Sequence, residues 1–504
     1  MDYNTIRTPG VYIDEIPHLP ASIVSVETAI PVFIGYTEIA KKYVDDDLIG
    51  KYMRITSLLD YQTYFGGPPL EPPGAITVNF DNSSGVLDVQ AVADETKRSK
   101  YLMQYSLQMF YTNGGGACYI HCVGKYTFNA DKTEADIDVN ALTAALDEIA
   151  KEEEITLIVF PDAMSLKNGN DYYNLHMKAL QQCVDLQNRF LVMDVYRSYV
   201  PNSNPPQLKL WGDDVDILRE AVPPEDGTIG MSGEVDHLKY VAVYFPRLYS
   251  LVTYNFADAN NNYDYSRVSL AFKGSFPAPD PTQNTTLDKL KAQFNSLYNQ
   301  GIEAVDDLQM LLPASSTMVG IYTQTDDARG VWKAPANVNI QNVVKPEVII
   351  ANVDQDTLNV DQLAGKSINA IRYFTGRGNA IVWGARTLAG NDNEWRYVPV
   401  RRFFIMAEQS IKNATEQFVF EPNDEHTWLR VRSMIEIYLT QQWKAGALMG
   451  SSTKEAFFVH VGLGQTMTED DIWNGRLIVQ VGMAVVRPAE FIILQFMHKM
   501  LSES

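Results

Sequence analysis

Apolar runs alternate with amphipathic stretches over most of the chain. In the stretch Val139–Glu154, Leu142, Leu146 and Ile149 repeat at the spacing of a helix face. Continuous apolar runs between turn residues are typical of buried strands, and strands that alternate with helices favour a largely parallel sheet. The predicted strands are 30–36, 117–123, 155–160, 189–196 and 240–245, and the predicted helices are 57–64, 97–112, 139–154 and 172–188. We therefore predict an α/β region over residues 26–375.

Three segments interrupt this alternation. Residues 66–98 contain a predicted hairpin that turns at Asn82–Gly85, and residues 201–233 and 255–285 are rich in proline, asparagine, aspartate and glycine. Loops of this composition face solvent and tolerate insertion. We predict that the three segments are insertions on the outer surface.

The pattern changes after Gly384, where two amphipathic helices are predicted at 401–417 and 427–445. A strand is predicted at 456–461, and the apolar run 476–487 follows it. Helices and strands that are grouped rather than alternating indicate an α+β arrangement. We predict a separate C-terminal α+β domain over residues 376–487.

Both chain ends are extended and apolar. The runs Arg476–Arg487 and Glu490–Met500 are apolar on both faces, and Pro9 and Pro17 bound the short strand Val11–Ile13. A strand that is apolar on both faces needs a neighbour or becomes an aggregation-prone edge. We predict an N-terminal arm over 1–25 and a C-terminal arm over 488–504, which pair either within the chain's own sheet or with another subunit.

Composition narrows the class of protein. The 504 residues are 46% hydrophobic and 20% charged, which is typical of globular domains, and the net charge of -21 disfavours binding to nucleic acid. The sequence has neither a run long enough to span a bilayer nor the basic, apolar start of a signal peptide. Three cysteines suit a reducing compartment. We expect synthesis in the cytoplasm and no insertion into a membrane.

Motifs for catalysis or metal binding are incomplete. The segment Leu363–Ser367 ends like a phosphate-binding loop, but Val360 stands where the first glycine is required. Cys118 and Cys122 lie on one predicted strand about 13 Å apart, which is too far to share a zinc ion. The histidines are dispersed, and the segment Asp258–Asp264 lacks the central glycine and closing glutamate of a calcium loop. We predict no catalytic residue, cofactor or metal.

Several blocks bring a family into view. The longest is Met318–Asn337, and shorter ones lie at both ends of the chain. These shorter blocks are Thr8–Tyr12, Thr28–Gly35, Phe110–Gly116, Gly384–Leu388, Arg396–Arg402, Phe420–Asp424 and Pro488–Phe491. Together they resemble, in order and over essentially the whole chain, the contractile tail sheath proteins of phages and phage-tail-like particles.

The resemblance implies a multi-domain sheath fold with a mixed α/β and α+β architecture, and a structural subunit rather than an enzyme. Sheath subunits form stacked hexameric rings that polymerise helically around an inner tube, and contraction drives the tube through a target envelope. The implied partners are further copies of the chain, sheath paralogues, an inner tube protein, and baseplate and terminator or cap proteins. The implied location is a phage tail or an extracellular phage-tail-like particle.

The resemblance also implies two sets of contact residues. Terminal strands are exchanged between subunits, which would involve Val11, Tyr12, Ile13, Leu477, Val479, Val481, Phe491, Ile492, Ile493, Leu494 and Phe496. The inner domain contacts the tube, for which the basic residues of the two C-terminal helices are candidates: Arg401, Arg402, Lys412, Arg430, Arg432 and Lys444.

Two alternatives stay open from the residues themselves. The basic side chains could instead lie on solvated helix faces or form internal ion pairs. The alternating strand and helix pattern is also compatible with an α/β enzyme that has a small-molecule pocket, because fold alone does not give function.

Overall fold

A computed structural model describes residues 23–129, 133–200, 203, 207–220, 229–258 and 260–495. Within these residues the chain forms two compact units. The larger unit comprises residues 27–405 together with the segment from 487, and the smaller unit comprises residues 406–486 together with the segment up to 26.

The strands of the described residues are, in chain order, β1 (Pro31–Thr37), β2 (Lys51–Ile55), β3 (Ile76–Asn82), β4 (Asp88–Ala93), β5 (Cys118–Lys125), β6 (Leu157–Val159), β7 (Phe190–Asp194), β8 (Val241–Phe245), β9 (Leu248–Ser250), β10 (Ser269–Gly274), β11 (Met310–Leu312), β12 (Val343–Pro346), β13 (Asn369–Phe374), β14 (Gly378–Val382), β15 (Phe457–His460) and β16 (Gln480–Met483).

The α-helices of the described residues are α1 (Leu58–Phe65), α2 (Met103–Thr112), α3 (Val139–Ile149), α4 (Gly169–Leu186), α5 (Trp211–Arg219), α6 (Val235–Leu238), α7 (Asn295–Asp306), α8 (Ser315–Arg329), α9 (Asn352–Asn359), α10 (Val398–Thr415), α11 (Glu425–Lys444), α12 (Thr453–Ala456) and α13 (Glu469–Trp473). No helix within the described residues is both long and apolar enough to span a bilayer.

An eight-stranded sheet forms the centre of the larger unit, in the order β14-β13-β8-β7-β6-β1-β5-β2. The strands from β13 to β5 run parallel to their neighbours, and only the outer strands β14 and β2 pair antiparallel. All seven residues of β1 are buried, as expected where helices cover both faces of a sheet. The predicted α/β region with a largely parallel sheet is confirmed.

Helix α2 starts later than its periodicity predicts, because carboxylates capture the backbone in front of it. The backbone N–H of Ser99 donates to Glu71 at 2.9 Å, that of Lys100 to Glu134 at 2.6 Å, and that of Leu102 to Asp162 at 2.6 Å. These three N–H groups therefore hold an irregular turn, and the helix begins only at Met103.

Two of the predicted insertions belong to one substructure. The hairpin β3–β4 pairs as predicted, and β10 from the segment 255–285 adds to it as a third strand, parallel to β3. The segment 201–233 contains more structure than a loop, since α5 lies within it and buries Val215 and Leu218. Its polar composition concealed this helix because Asp213 and Asp214 occupy the first turn, where acidic residues are favourable.

The smaller unit is built on α11 and a two-stranded sheet of β15 and β16. Asp424 caps α11 by accepting the N–H of Thr427 at 3.0 Å. Val431, Ile435 and Leu439 form part of its buried face. The predicted C-terminal helices and the strand near residue 457 are thus present.

Candidate functional site

The sheet of the smaller unit has an open edge. In β16, Val481 lies opposite Val459 of β15, and Gly482 lies opposite Phe458. The N–H of Ala484 donates to the carbonyl of Ala456 at 2.8 Å, which shows which residues of this strand turn their backbone groups toward β15. Because backbone groups alternate along an antiparallel strand, those of Val481 point away from β15.

Among the described residues, no strand pairs at the outward edge. Residues 447–449 pair with the end of this strand on the same side as β15, because Ala484 donates to Ala456 and accepts from Met449 at 2.7 Å, and Val486 donates to Ala447 at 3.0 Å. Within the described residues, Val479 and Val481 form no backbone hydrogen bond on the outward edge. This edge can therefore accept another strand.

Side chains suit this edge for strand addition. Leu477, Val479 and Val481, which are among the predicted strand-exchange residues, are half-buried and share one face by the two-residue period. On the other face Phe458 packs over Gly482, where a Cβ atom would lie 2.2 Å from the ring. The two-stranded sheet thus offers apolar surface beside its unpaired backbone.

The C-terminal apolar run differs from its prediction. Residues 490–495 form no strand in the single chain, although the sequence pattern predicts one from Glu490. Phe491, Ile492, Ile493 and Leu494 are between 70% and 82% exposed. A strand needs a partner for its backbone groups, and this segment has none among the described residues.

Four of the predicted exchange residues, Val11, Tyr12, Ile13 and Phe496, lie outside the described residues. The first described residues are attached to the smaller unit. The N–H of Val26 donates to Ser410 of α10 at 3.0 Å, and the hydroxyl of Ser25 donates to Tyr438 of α11 at 3.4 Å. Residues 25 and 26 are therefore fixed on two helices of this unit.

Arg402, a candidate tube contact, is buried in the larger unit. Its guanidinium donates to both carboxylate oxygens of Asp326, at 2.6 and 3.0 Å, and to the carbonyl of Thr28 at 2.9 Å. It also lies 4.6 Å from the ring centre of Tyr322. An arginine that is 3% exposed and held in this way cannot meet a tube surface.

Arg401 is equally inaccessible. It is 2% exposed, and its guanidinium carbon lies 4.7 Å from the ring centre of Tyr240 and 4.9 Å from that of Trp395. Cation–π contacts of this kind are typical of a buried arginine. The assignment of Arg401 and Arg402 to tube contact is therefore wrong: position in a basic run did not reveal that both side chains point into the core.

The other basic candidates lie at the surface. Arg430 and Arg432 have side chains that are 61% and 45% exposed, and both form ion pairs, with Glu421 at 3.8 Å and Glu436 at 2.8 Å. Lys412 and Lys444 are exposed as well. Exposed ion pairs are weak, so Arg430 and Arg432 remain able to exchange partners.

Side chains in the suspected catalytic motifs serve the fold. The Lys366 ammonium donates to the carbonyl of Arg219 at 2.8 Å, so it does not face a phosphate site. Burial raises the pKa of the Cys118 and Cys183 thiols to about 12, which makes them poor nucleophiles. No group of three potential metal ligands occurs within the described ranges.

Sequence reasoning missed one buried ion pair, between Arg386 and Glu490, whose side chains meet at 2.5 Å in the larger unit. The available signal was a single acidic residue directly before four apolar ones. Its arginine partner is 104 positions away along the chain, so only the fold could identify it.

Comparison with known proteins places this architecture in context. The family model "Phage tail sheath C-terminal domain" matches residues 390–498. The tail sheath protein of Vibrio phage KVP40 is 27% identical over 167 residues, which is 32% of this chain and 24% of the relative. The matching segment thus spans about a quarter of the length of the curated relatives.

Solved structures match over nearly the whole chain. A chain of the anti-feeding prophage (AFP) baseplate is 31% identical with a TM-score of 0.59, and the match covers 98% of this chain and 100% of that one. The AFP helical sheath in its contracted state gives 30% identity, a TM-score of 0.59 and the same two coverages.

Proposed function

The chain belongs to the family of contractile phage tail sheath proteins, and from this membership we propose that it is the sheath subunit of a phage-tail-like contractile particle. Copies would stack helically as hexameric rings around an inner tube and contract to drive the tube through a target envelope. The full-length similarity to a helical sheath is the observation that carries this proposal. Baseplate and cap proteins would end the lattice, and the particle would act outside the producing cell.

The proposed function requires self-association that continues from one ring to the next. Heterologous contacts between successive rings do not close on themselves and therefore extend as a helical filament. Contraction is then a transition between two packings of rigid bodies, with the energy supplied by contacts that form in the second packing. This mechanism requires no catalytic group, cofactor or metal.

We assign subunit linkage to strand addition at the sheet of the smaller unit. The residues Phe491–Leu494 of a second copy would pair at the open edge of β15–β16, and Val11–Ile13 of another copy would join the same sheet. Main-chain hydrogen bonds would supply affinity, and alternating side chains would set the register. The exposed apolar segment and the unpaired edge support this assignment.

Val481→Pro tests the edge directly. Proline removes a backbone N–H, and the N–H of Val481 points away from β15, so the sheet of the subunit itself should survive. An incoming strand would lose one hydrogen bond and meet the proline ring. We expect a folded monomer with strongly reduced tube formation, measured by sedimentation and negative-stain electron microscopy.

The neighbouring position supplies the control. The N–H and C=O groups of Gly482 face β15, so Gly482→Pro should instead disrupt the subunit's own sheet and lower its melting temperature. Tubes of normal number and length from Val481→Pro would contradict strand addition at this edge.

We propose that Lys412, Arg430, Arg432 and Lys444 provide the tube-facing charge. Complementary charge across an interface mainly sets specificity and association rate. We expect Arg432→Glu or Lys444→Glu to slow assembly of sheath around an acidic tube, with a stronger effect at low salt. Lys454→Glu, at another exposed lysine of the same unit, is the control for net charge. Equal co-assembly of all three variants would remove Arg432 and Lys444 from the tube contact.

Electron microscopy of the purified protein tests the function as a whole. Striated tubes or hollow cylinders are expected. Discrete particles that turn over a small molecule would instead support an α/β enzyme.

A further inference from the structure

A bidentate ion pair between Arg386 and Glu490 holds the start of the C-terminal segment 490–495. The Arg386 Nε lies 2.9 Å from Glu490 Oε1, and its Nη2 lies 2.5 Å from Glu490 Oε2. The arginine side chain is 3% exposed and the glutamate 17%. Bidentate pairs of this kind fix geometry as well as adding energy, and burial protects them from screening by salt.

Arg386 is held in place independently of Glu490. Its Nη1 donates to the carbonyls of Asn359 and Gly390, both at 3.2 Å. The ring centre of Tyr397 lies 5.9 Å from the guanidinium carbon, and the Tyr397 hydroxyl donates to Glu490 at 3.4 Å. The guanidinium of Arg386 is therefore preorganised to bind one carboxylate.

Arg386 is hydrogen-bonded to the main sheet through Asn369. Asn369 of β13 accepts the backbone N–H of Arg386 at 2.7 Å and donates to its carbonyl at 2.8 Å. The same amide donates to the carbonyl of Val243 in β8 at 3.1 Å. A force on Glu490 would thus reach two adjacent strands in the interior of the eight-stranded sheet.

Glu490 stands at a sharp change in environment. The next four side chains are 70% to 82% exposed, whereas Glu490 is tied to a buried arginine.

We propose that the Arg386–Glu490 pair fastens the C-terminal arm to the larger unit, so that tension from a neighbouring copy passes into the main sheet. This inference rests on the sheath function proposed above. Residues 480–483 form a strand of the smaller unit, yet the arm that follows them takes its fixed origin on the larger one. Inter-subunit tension would bypass the weak two-stranded sheet of its own chain.

Loss of the Arg386–Glu490 pair would lengthen the free part of the C-terminal arm. Without Glu490 the free tether would begin near residue 487 and gain about 10 Å of length. A longer flexible tether lowers the effective concentration of the arm at its docking edge and allows registers that a fixed origin excludes. Tubes would form from such subunits but would hold together less firmly.

A spin label at Ala489→Cys measures the fastening in the monomer. Ala489 is exposed, and the three native cysteines are buried, so labelling is selective. We expect Glu490→Ala to increase the label's mobility several-fold and Glu490→Asp to increase it less. The control is Glu347→Ala, which breaks another buried bidentate pair, with Arg247 at 2.8 and 3.0 Å, in the same unit.

The length of assembled tubes after shear tests whether the pair transmits tension. After controlled shear, tubes of Glu490→Ala should be several-fold shorter than wild-type tubes, while Glu347→Ala tubes keep the wild-type length. Unchanged label mobility in Glu490→Ala would overturn the fastening. If Glu490→Ala makes the label mobile but its tubes keep the wild-type length after shear, the pair does not transmit tension. If wild-type protein forms no tubes, the sheath function and the tension role both fail, and the label still decides whether the pair fastens the segment.

Discussion

Removal of residues 491–504 is expected to give a folded monomer that no longer forms tubes. Residues 491–495 are exposed and lie outside the core, so their loss removes no part of the buried interior that the structure describes. Glu490 is retained, and the ion pair with Arg386 should therefore persist.

The expected effect is large because the segment would contribute both backbone pairing and apolar burial. Each backbone hydrogen bond contributes about 1 kcal/mol net, and each buried Phe, Ile or Leu side chain contributes about 2 kcal/mol. For the four side chains Phe491–Leu494 and the hydrogen bonds of their backbone, even half of the summed contribution exceeds the roughly 4 kcal/mol that corresponds to a thousandfold change in the association constant. We expect no tubes at concentrations at which the wild type polymerises fully.

Sedimentation and electron microscopy measure the loss, and thermal unfolding checks the monomer. A second variant with Phe491, Ile492, Ile493 and Leu494 changed to serine keeps the length and backbone of the arm. It should assemble poorly, which would separate side-chain burial from backbone pairing. Wild-type tubes from the truncated chain would contradict the role of the C-terminal arm.

The sequence pattern was sufficient for the strands β1, β5, β6, β7 and β8 of the main sheet, but not for β2, β13 and β14 or for the addition of β10 to the separate three-stranded sheet. A strand such as β1, buried throughout, reads as a continuous apolar run, and helix α4 repeats at 3.6 residues. The pairing of β10 with β3 joins residues almost 200 positions apart, and neither strand carries a local signal for the other. The pairing of strands that are distant in the chain is therefore set by the tertiary structure.

The candidate site shows the same division. The residues at 491–494 belong to a run that is apolar on both faces, so their role in strand exchange could be proposed from sequence. The burial of Arg401 and Arg402 depends on Tyr240 and Asp326, which lie on other elements. A basic residue on an amphipathic helix can serve either as surface charge or as a buried cation, and the helix pattern alone does not decide between them.

Stability of the larger unit should fall as the pH rises from about 5 to 8. Burial raises the pKa of Glu71, Glu134 and Asp162 to about 7 and that of Asp194 to about 6. Between the unfolded pKa near 4 and these values the folded state binds more protons, so the free energy of unfolding decreases with pH. One pKa unit corresponds to about 1.4 kcal/mol, so these four groups together should lower it by several kcal/mol. Chemical denaturation at pH 5 and pH 8 measures the difference.

Glu71→Gln and Asp162→Asn test this explanation as a matched pair. Glu71 accepts the N–H of Ser99 and the hydroxyl of Tyr105, which can reverse and accept from an amide. Glu71→Gln should therefore match the wild type at pH 5 and exceed its stability by about 3 kcal/mol at pH 8.

Asp162 accepts backbone N–H groups at both oxygens, from Tyr36 at 2.7 Å and from Leu102 at 2.6 Å. An amide would turn a donor toward one of them, whereas a protonated carboxyl can still accept at both oxygens. Asp162→Asn should therefore lose about 1–3 kcal/mol at pH 5, where Glu71→Gln loses nothing. Equal stability of the two variants at pH 5, or no gain for Glu71→Gln at pH 8, would show that burial of these carboxylates does not set the pH dependence.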